Sequence, residues 1–357
     1  MKERKKFEEE MDLKGTGLFD KQMGFILTKQ CPVHCEHCYS DCRPSAPIGN
    51  NKDIYGWLCQ ASMIDKIKTF VLTGGEPFYK YDFVVDVVNM LSERGKEIIL
   101  YTNGYWADSL EVAVDRLKDL RRVKLINTSI DRFHLKYIPL ENIKNLFIAS
   151  QRLGFYTGLV VTVEPGDDKF VDKVKQEFDG LLTDYSHIFV QDVSLIGRAY
   201  DLKKQFDTYL LEELPNGVCS LITSVIGHDG SMFACCSINK DEYKIPPFYV
   251  GNVADSSVKD MYEKFRNDPL LLALRVFGPK YLANIVIKAG LGKHLIGAKY
   301  LKDDLCSLCL DLFSSPQIYE FLFKEISKEK WLKKMEVMER LIYQERENLI
   351  ERIMVNE

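Results

Sequence analysis

Three cysteines in the run Cys31-Pro32-Val33-His34-Cys35-Glu36-His37-Cys38, set just after the apolar segment Met23 to Leu27, constrain this chain more than any other stretch. Thiolates spaced C-x3-C-x2-C cannot pair off as a disulfide without leaving one over, so they read as ligands for one metal centre. Cysteine-only ligation at short spacing suits zinc or an iron-sulfur cluster. A cubane 4Fe-4S cluster held by three cysteines keeps one iron free of protein, and an open iron can bind a reactant. A second motif, Gly74-Gly75-Glu76-Pro77, follows the next apolar run. It puts an acceptor carboxylate and a rigid stop beside a backbone that can approach a ligand closely.

Together the two motifs resemble the radical S-adenosylmethionine (SAM) superfamily. The resemblance implies that Cys31, Cys35 and Cys38 hold a 4Fe-4S cluster whose open iron chelates the methionyl amine and carboxylate of SAM. Gly74, Gly75, Glu76 and Pro77 would then lie against that amine. In the superfamily, an electron entering the cluster breaks the sulfonium C-S bond. This yields methionine and a 5′-deoxyadenosyl radical, which takes a hydrogen atom from an unactivated C-H bond. His37 stands where the family commonly has an aromatic residue near the adenine; an imidazole can stack there or serve as a structural donor. On spacing alone, half a zinc site is the alternative.

The rest of the chain bounds these expectations. A length of 357 residues suggests roughly two domains at about 150 residues each, and 46% apolar residues supply ample core. A net charge of -4 gives no footprint for nucleic acid, whose binders carry a basic excess. Met1 to Asp20 is charged and lacks the apolar core of a signal peptide, and residues 1–21 read as a solvated tail. No segment has the roughly 18 uninterrupted apolar residues that would span a bilayer. Ten cysteines without a secretory signal argue for a reducing compartment. A soluble cytoplasmic protein is expected.

From Gly24 onward, short β-type runs alternate with helical patterns. Strands are expected at Gly24 to Leu27, Thr69 to Thr73, Glu97 to Tyr101, Val123 to Ser129, Tyr156 to Val163 and Ile188 to Val193. The intervening helices are Asp53 to Lys66, Lys80 to Arg94, Asp108 to Leu120, Leu140 to Leu153 and Asp168 to Leu182. Strands separated by one helix each run parallel with crossovers of one hand. Residues 22–200 are therefore expected to form an α/β partial (β/α)6 TIM-like barrel, the fold the resemblance also implies. Ligands of such a sheet gather at the carboxyl ends of its strands. The cysteine loop, the Gly74 turn, Thr102-Asn103-Gly104, Ser129-Ile130-Asp131 and Gly197-Arg198 all fall there. In the family, side chains after the third and fourth strands often reach SAM, which makes Asn103, Ser129 and Asp131 candidate contacts. Arg198 is a candidate for a substrate carboxylate, a phosphate or SAM itself, or a surface ion pair. A base is needed to remove a substrate proton, and the candidates are His134, Asp131, Glu164 and Asp192. Cys42 and Cys59 are left outside the ligand set.

Beyond Tyr200 the pattern changes. Asp201 to Glu213 is polar and helical, and Ser220 to Gly227, His228-Asp229-Gly230 and Ser231 to Cys236 read as a β-hairpin with an Asp-Gly turn. The turn brings Cys219 close to Cys235 or Cys236, and the C-x2-C knuckle Cys306-Ser307-Leu308-Cys309 completes four ligands. Strand alternation lets only one of the tandem cysteines face the metal easily. A structural zinc is one reading. The resemblance points instead to a twitch or shortened SPASM extension over 201–314, with a fully ligated auxiliary 4Fe-4S cluster on Cys219, Cys235, Cys306 and Cys309. The insertion Tyr262 to Asp303 is expected as a helical hairpin, with a membrane-surface role as the other reading. Residues 315–357 are expected as one charged terminal helix docked on the barrel.

The function the resemblance implies is reductive cleavage of SAM, with two 4Fe-4S clusters, hydrogen abstraction from a substrate, and oxidation or crosslinking of a ribosomal peptide. A small molecule is the alternative substrate. A flavodoxin- or ferredoxin-type donor would supply the electron, and neither nucleic acid nor a membrane span is expected. A zinc-stabilised interaction protein without catalysis is the alternative of another class.

Overall fold

The computed structural model describes residues 21–120, 122–219, 222–237, 243–295, 299–301 and 305–338. The expected tail at 1–20 and the last part of the expected terminal helix, 339–357, lie outside the described residues.

Six strands alternate with five helices as the periodicity requires. The strands are β1 (Gln22–Ile26), β2 (Thr69–Thr73), β3 (Glu97–Thr102), β4 (Leu125–Ser129), β5 (Tyr156–Val163) and β6 (Ser186–Asp192). Between them lie α1 (Asn51–Ser62), α2 (Tyr81–Glu93), α3 (Leu110–Leu117), α4 (Leu140–Arg152) and α5 (Asp168–Glu177). Each strand pairs in parallel with the next. Packing follows from the two periods. Phe70 and Leu72 of β2 and Ile98 and Leu100 of β3 point to the helix layer, where Val84, Val87, Val88 and Leu91 form the apolar stripe of α2. The alternate residues Val71, Thr73 and Tyr101 face the concave side and keep solvent contact. Helix starts are fixed locally: the side chains of Asn50 and Ser109 accept from the amides of Lys52 and Val112.

The Asp-Gly hairpin is present, but it does not stand apart. Strand β7 (Ser224–Ile226) pairs in parallel with β1, and β8 (Ser231–Phe233) and β9 (Tyr249–Asn252) follow antiparallel. One nine-stranded sheet results, in the order β6-β5-β4-β3-β2-β1-β7-β8-β9. The region after 200 thus continues the barrel sheet on its β1 side.

Four expectations need adjustment. The helix expected over Asp201 to Glu213 is replaced by 3-10 turns at Gly197–Gln205 and Leu211–Glu213. In the first of these turns only Ala199 and Leu202 are buried, an i,i+3 pair that a three-residue repeat stacks. The insertion forms three helices, α6 (Val258–Arg266), α7 (Pro269–Phe277) and α8 (Pro279–Lys288), with a bend of 107° between the last two. Leu270, Leu271, Leu274, Leu282 and Val286 are buried in the main core, so their apolar character is used inside the protein. Among the described residues no single helix is long and apolar enough to cross a membrane. Cys306 and Cys309 lie on the helix α9 (Leu305–Ser314), not on a knuckle. The terminal helix is two: α10 (Pro316–Ile326) ends at Ser327, and a second runs over 329–338. The carboxylate of Glu325 accepts from Trp331 Nε1 at 3.1 Å and pairs with Lys330 at 2.9 Å across the break. Ile318, Leu322, Ile326 and Met335 are buried, and Trp331 meets Phe277 and Tyr281 edge-on, so both pieces pack on the insertion helices α7 and α8, in place of the barrel that was expected.

Candidate active site

The loop that leaves β1 is folded back on itself: Cys31 N donates to Arg43 O at 3.2 Å, Arg43 N to Lys29 O at 3.2 Å and Lys29 N to Pro47 O at 3.1 Å. This closure brings its three thiols to the carboxyl edge of the sheet. Cys31 and Cys35 are buried, Cys38 is half-buried, and all are free of disulfides. The Cys31 sulfur accepts from Asn103 Nδ2 at 3.5 Å, and the Cys38 sulfur from Cys42 N at 3.4 Å. Hydrogen bonding from the Cys42 side chain, against the cost of burial, brings the Cys38 thiol down to about 6, within reach of the thiolate at neutral pH. Burial pushes Cys31 up to about 12, so a thiolate there needs a positive partner. A polynuclear iron cluster supplies such charge, and the donor set of three clustered sulfurs fits it. Cys42, left out of the ligand set, is a support for the sulfur of Cys38. Its i,i+4 spacing from Cys38 was the available signal.

Glycines zip this loop to the end of β2. Gly75 N donates to Thr28 O at 2.7 Å and Glu76 N to Gln30 O at 2.8 Å. A Cβ on Gly75 would stand 2.1 Å from Gln30 O, and one on Gly74 would stand 2.5 Å from Thr28 O. The glycines are needed for approach of the cysteine loop itself. The Glu76 side chain is turned into the protein. Its carboxylate is fully buried and accepts from Phe78 N at 3.0 Å, Thr102 Oγ1 at 2.8 Å and Asn103 N at 2.7 Å. Burial pushes it up to about 7 despite these donors. Glu76 therefore ties the β2 and β3 ends together, and Asn103 is held where its amide reaches Cys31. Pro77 opens the turn Pro77–Lys80, and Lys80 Nζ donates to Leu27 O and Gly49 O, both at 3.1 Å.

Gly75→Ala is expected to destabilise the cluster-free protein by about 1–3 kcal/mol, because the obstructing atom is a backbone carbonyl that cannot rotate away. Gly56→Ala is the control. It lies in α1 with nothing within 4 Å of the added carbon, and it should leave stability unchanged or raised. Chemical denaturation of the two variants measures the contrast.

At the β4 end, the candidate base Asp131 is buried with both oxygens engaged. Oδ1 accepts from Phe133 N at 3.0 Å and His134 N at 2.9 Å, and Oδ2 lies 2.7 Å from His134 Nδ1. Burial works against its charge, but His134 more than offsets this and holds the carboxyl low. Asp131 is an orienter of His134, not a free base. His134 is itself turned inward, with Asp131 on one side and the Cys35 thiol on the other. His37, expected against the adenine, stacks on Phe133 with centroids 4.4 Å apart and meets His134 edge-on at 5.1 Å. The ligand atoms of Cys35, His37 and His134 lie within 4.8 Å of one another. Ser129 ends β4 and Glu164 follows β5, both half-exposed, while Asp192 at the end of β6 is exposed. The Arg198 side chain is only 15% exposed and is turned to the cysteine loop. Its guanidinium donates to Cys35 O at 2.9 and 3.0 Å, to Cys42 O at 2.9 Å and to Asp41 Oδ1 at 2.7 Å.

The second cysteine set gathers at the other end of the sheet order. Cys235 and Cys236 follow β8, Cys219 precedes β7, and α9 brings Cys306 and Cys309. Cys235 and Cys309 are buried, and Cys219 and Cys306 pack against the same core. The Cys236 thiol, pushed well up mainly by its hydrogen bond with Cys235 and by burial, also feels Cys306. It also lies within electrostatic range of Tyr39 and Tyr101.

Residues 25–172, which contain the cysteine loop and the strand ends through β5, match the radical SAM superfamily. The match covers the part of the chain that carries the cysteine loop and falls short of half its length. Among curated relatives, this chain is 23% identical over 318 residues to the "Putative peptide biosynthesis protein YydG" of Bacillus subtilis, covering 87% of this chain and 98% of that one. It is 31% identical over 135 residues to the "Probable GTP 3',8-cyclase" of Sulfolobus acidocaldarius, covering 37% of this chain and 41% of the cyclase. Two solved structures share its fold. One is anSMEcpe with bound AdoMet, with a TM-score of 0.51 at 14% identity over 88% of this chain and 98% of that chain. The other is SuiB of Streptococcus suis bound to the precursor peptide SuiA, with a TM-score of 0.53 at 14% identity over 85% of this chain and 79% of that chain.

Proposed function

We propose that this chain is a radical SAM peptide maturase. The observation that carries the reading is the extent of the likeness to the peptide biosynthesis protein of Bacillus subtilis, which runs over 98% of that relative and 87% of this chain. The cyclase relative matches only 37% of the chain, so it speaks for a part of it alone.

In this reading Cys31, Cys35 and Cys38 hold the cluster on which SAM docks, and cluster and SAM together supply an organic radical able to take a hydrogen atom. The chain's own part is positioning. Glu76 and Arg198 fix the cysteine loop, Asn103 hydrogen-bonds Cys31, and the concave face of the sheet holds the substrate. Cys219, Cys235, Cys306 and Cys309 hold a second 4Fe-4S cluster. The substrate would lose a hydrogen atom to the SAM-derived radical, an electron to that second cluster and a proton to a base, a net two-electron oxidation or crosslink. A flavodoxin- or ferredoxin-type protein supplies the first electron, and the compartment is the cytoplasm.

The test uses anaerobically reconstituted protein with dithionite, SAM and synthetic peptides made from any short open reading frames that adjoin the gene. Peptide-stimulated 5′-deoxyadenosine, with a matching mass change in the peptide, is the expected result. Release of 5′-deoxyadenosine with an unaltered peptide would sink the peptide reading, and no release from fully iron-loaded protein would sink the catalytic one.

A further inference from the structure

Lys80 is a buried charge that the mechanism leaves unused. It closes the turn Pro77–Lys80, directly after the Gly74 motif, and is only 8% exposed. No charged neighbour acts on its ammonium: burial alone pulls the amine down to about 8. The Phe83 ring, with its centroid 5.4 Å from Nζ, is a weak substitute for an anion. A charge buried without a counter-ion costs free energy that an apolar side chain of similar length avoids, so core packing does not account for a lysine here.

Its two acceptors do. Nζ donates to Leu27 O and to Gly49 O, both at 3.1 Å. Leu27 is the first residue of the 24-residue excursion that follows β1, and Gly49 is the last but one, just before the N-cap Asn50 of α1. One ammonium therefore joins the two feet of the loop that carries Cys31, Cys35 and Cys38. The bonds from Gly75 N to Thr28 O and from Glu76 N to Gln30 O reach only the entering limb, and Lys29 N to Pro47 O ties the limbs from within. The leaving foot is itself seated: Gly49 has φ +75°, and a Cβ there would stand 2.9 Å from His228 O in the hairpin turn. Two carbonyl oxygens that converge on one point repel each other unless a donor lies between them. An ammonium, with three N–H groups on a flexible stem, serves both at once.

We propose that Lys80 is a positioning residue for the cysteine loop, a staple that closes the two feet of the loop before iron arrives and so holds the three thiols ready for the cluster. The proposal rests on the reading that Cys31, Cys35 and Cys38 hold that cluster. Lys80 needs no contact with SAM or substrate for this role. A loop closed in advance gives up its freedom on folding, and less ordering is left for the step in which the metal binds.

The experiment compares iron-free, full-length wild type, Lys80→Met and Lys80→Arg by hydrogen-deuterium exchange, and then by anaerobic reconstitution with ferrous iron and sulfide. Uptake is followed through the electron paramagnetic resonance signal that changes when SAM is added to the reduced protein. Met fills the space of the stem and removes an uncompensated charge, so chemical denaturation of Lys80→Met should show wild-type stability or better. Exchange in peptides from 27–49 should nevertheless rise at least tenfold, with β3, β4 and α3 at wild-type rates, and cluster uptake should slow at least tenfold. Lys80→Arg, which keeps a charged donor, should fall between the two. A Lys80→Met that fails to fold, or whose exchange rises alike in every element, makes Lys80 a core residue and overturns the staple. Wild-type exchange over 27–49 in a folded Lys80→Met overturns it as well. A wild-type protein that takes up no iron overturns the cluster reading, and the staple with it.

Discussion

Replacing Cys31, Cys35 or Cys38 with Ala is expected to abolish SAM cleavage completely while leaving the second cysteine set loaded. Each of these thiols has a different neighbour, so the three variants test one cluster by three routes: Cys31 under Asn103, Cys35 against His134, Cys38 on Cys42. A cluster held by three protein ligands does not survive loss of one in the way a four-ligand site sometimes does. The protein should drop from about eight iron atoms per chain to about four, with no 5′-deoxyadenosine after reduction. Cys42→Ala separates ligand from support: it removes a hydrogen bond to the Cys38 sulfur but no iron ligand, and it should keep both clusters. Equal iron loss in Cys42→Ala and Cys38→Ala would make Cys42 a ligand and close the open iron. Zinc in place of iron in the wild type would favour the non-catalytic alternative.

How much of this was legible beforehand depends on whether a feature is local. The six strands and five helices follow from alternations of period two and near 3.6, and Thr69–Thr73 and Tyr156–Val163 lie where those alternations put them. The hairpin was readable from His228-Asp229-Gly230, where the Asp229 carboxylate accepts from Ser231 N at 3.1 Å. The pairing of β7 with β1 was not readable. It joins residues about 200 positions apart, and no local pattern records a partner strand. The break at Ser327 was missed because neither Pro nor Gly marks it; the bonds of Glu325 to Trp331 and Lys330 are tertiary facts.

Within the site, residue types were legible and directions were not. Gly74, Gly75, Glu76 and Arg198 all stand at the strand ends where ligands gather, but the same ends must also hold a 24-residue excursion between β1 and α1 in place. Glu76 turns inward because three donors, Phe78 N, Thr102 Oγ1 and Asn103 N, converge on it. A carboxylate with those partners is satisfied without a ligand. Asp131 and His134 pair with each other for the same reason, which engages the Asp131 carboxylate and makes it the orienter of His134.

Arg198→Met is the second large effect expected, and it decides between two roles for one residue. As a contact to SAM or substrate, Arg198 would be dispensable for iron loading. As placed, it donates from Nε and Nη2 to Cys35 O, from Nη2 to Cys42 O and from Nη1 to Asp41 Oδ1, while its own amide donates to Cys38 O at 3.2 Å. The fork spans the last two cluster cysteines and the turn after them. Hydrogen bonds from a charged donor are worth about 1.5–3 kcal/mol each and do not add fully, so removal should cost the loop about 3–5 kcal/mol. Asp41, whose carboxyl burial would raise but which Arg198 and Arg43 hold low, would keep only Arg43. Lys carries the charge without the fork and can meet one or two of these acceptors at a time, so Arg198→Lys should fall between. Iron per chain and the electron paramagnetic resonance signal of the reduced cluster with SAM are the measurements. Loss of roughly half the iron in Arg198→Met, with partial recovery in Arg198→Lys, supports the clamp. Full iron with weakened SAM binding would return Arg198 to the ligand side of the site and leave the cysteine loop to be held by its own backbone bonds and those of Gly75 and Glu76.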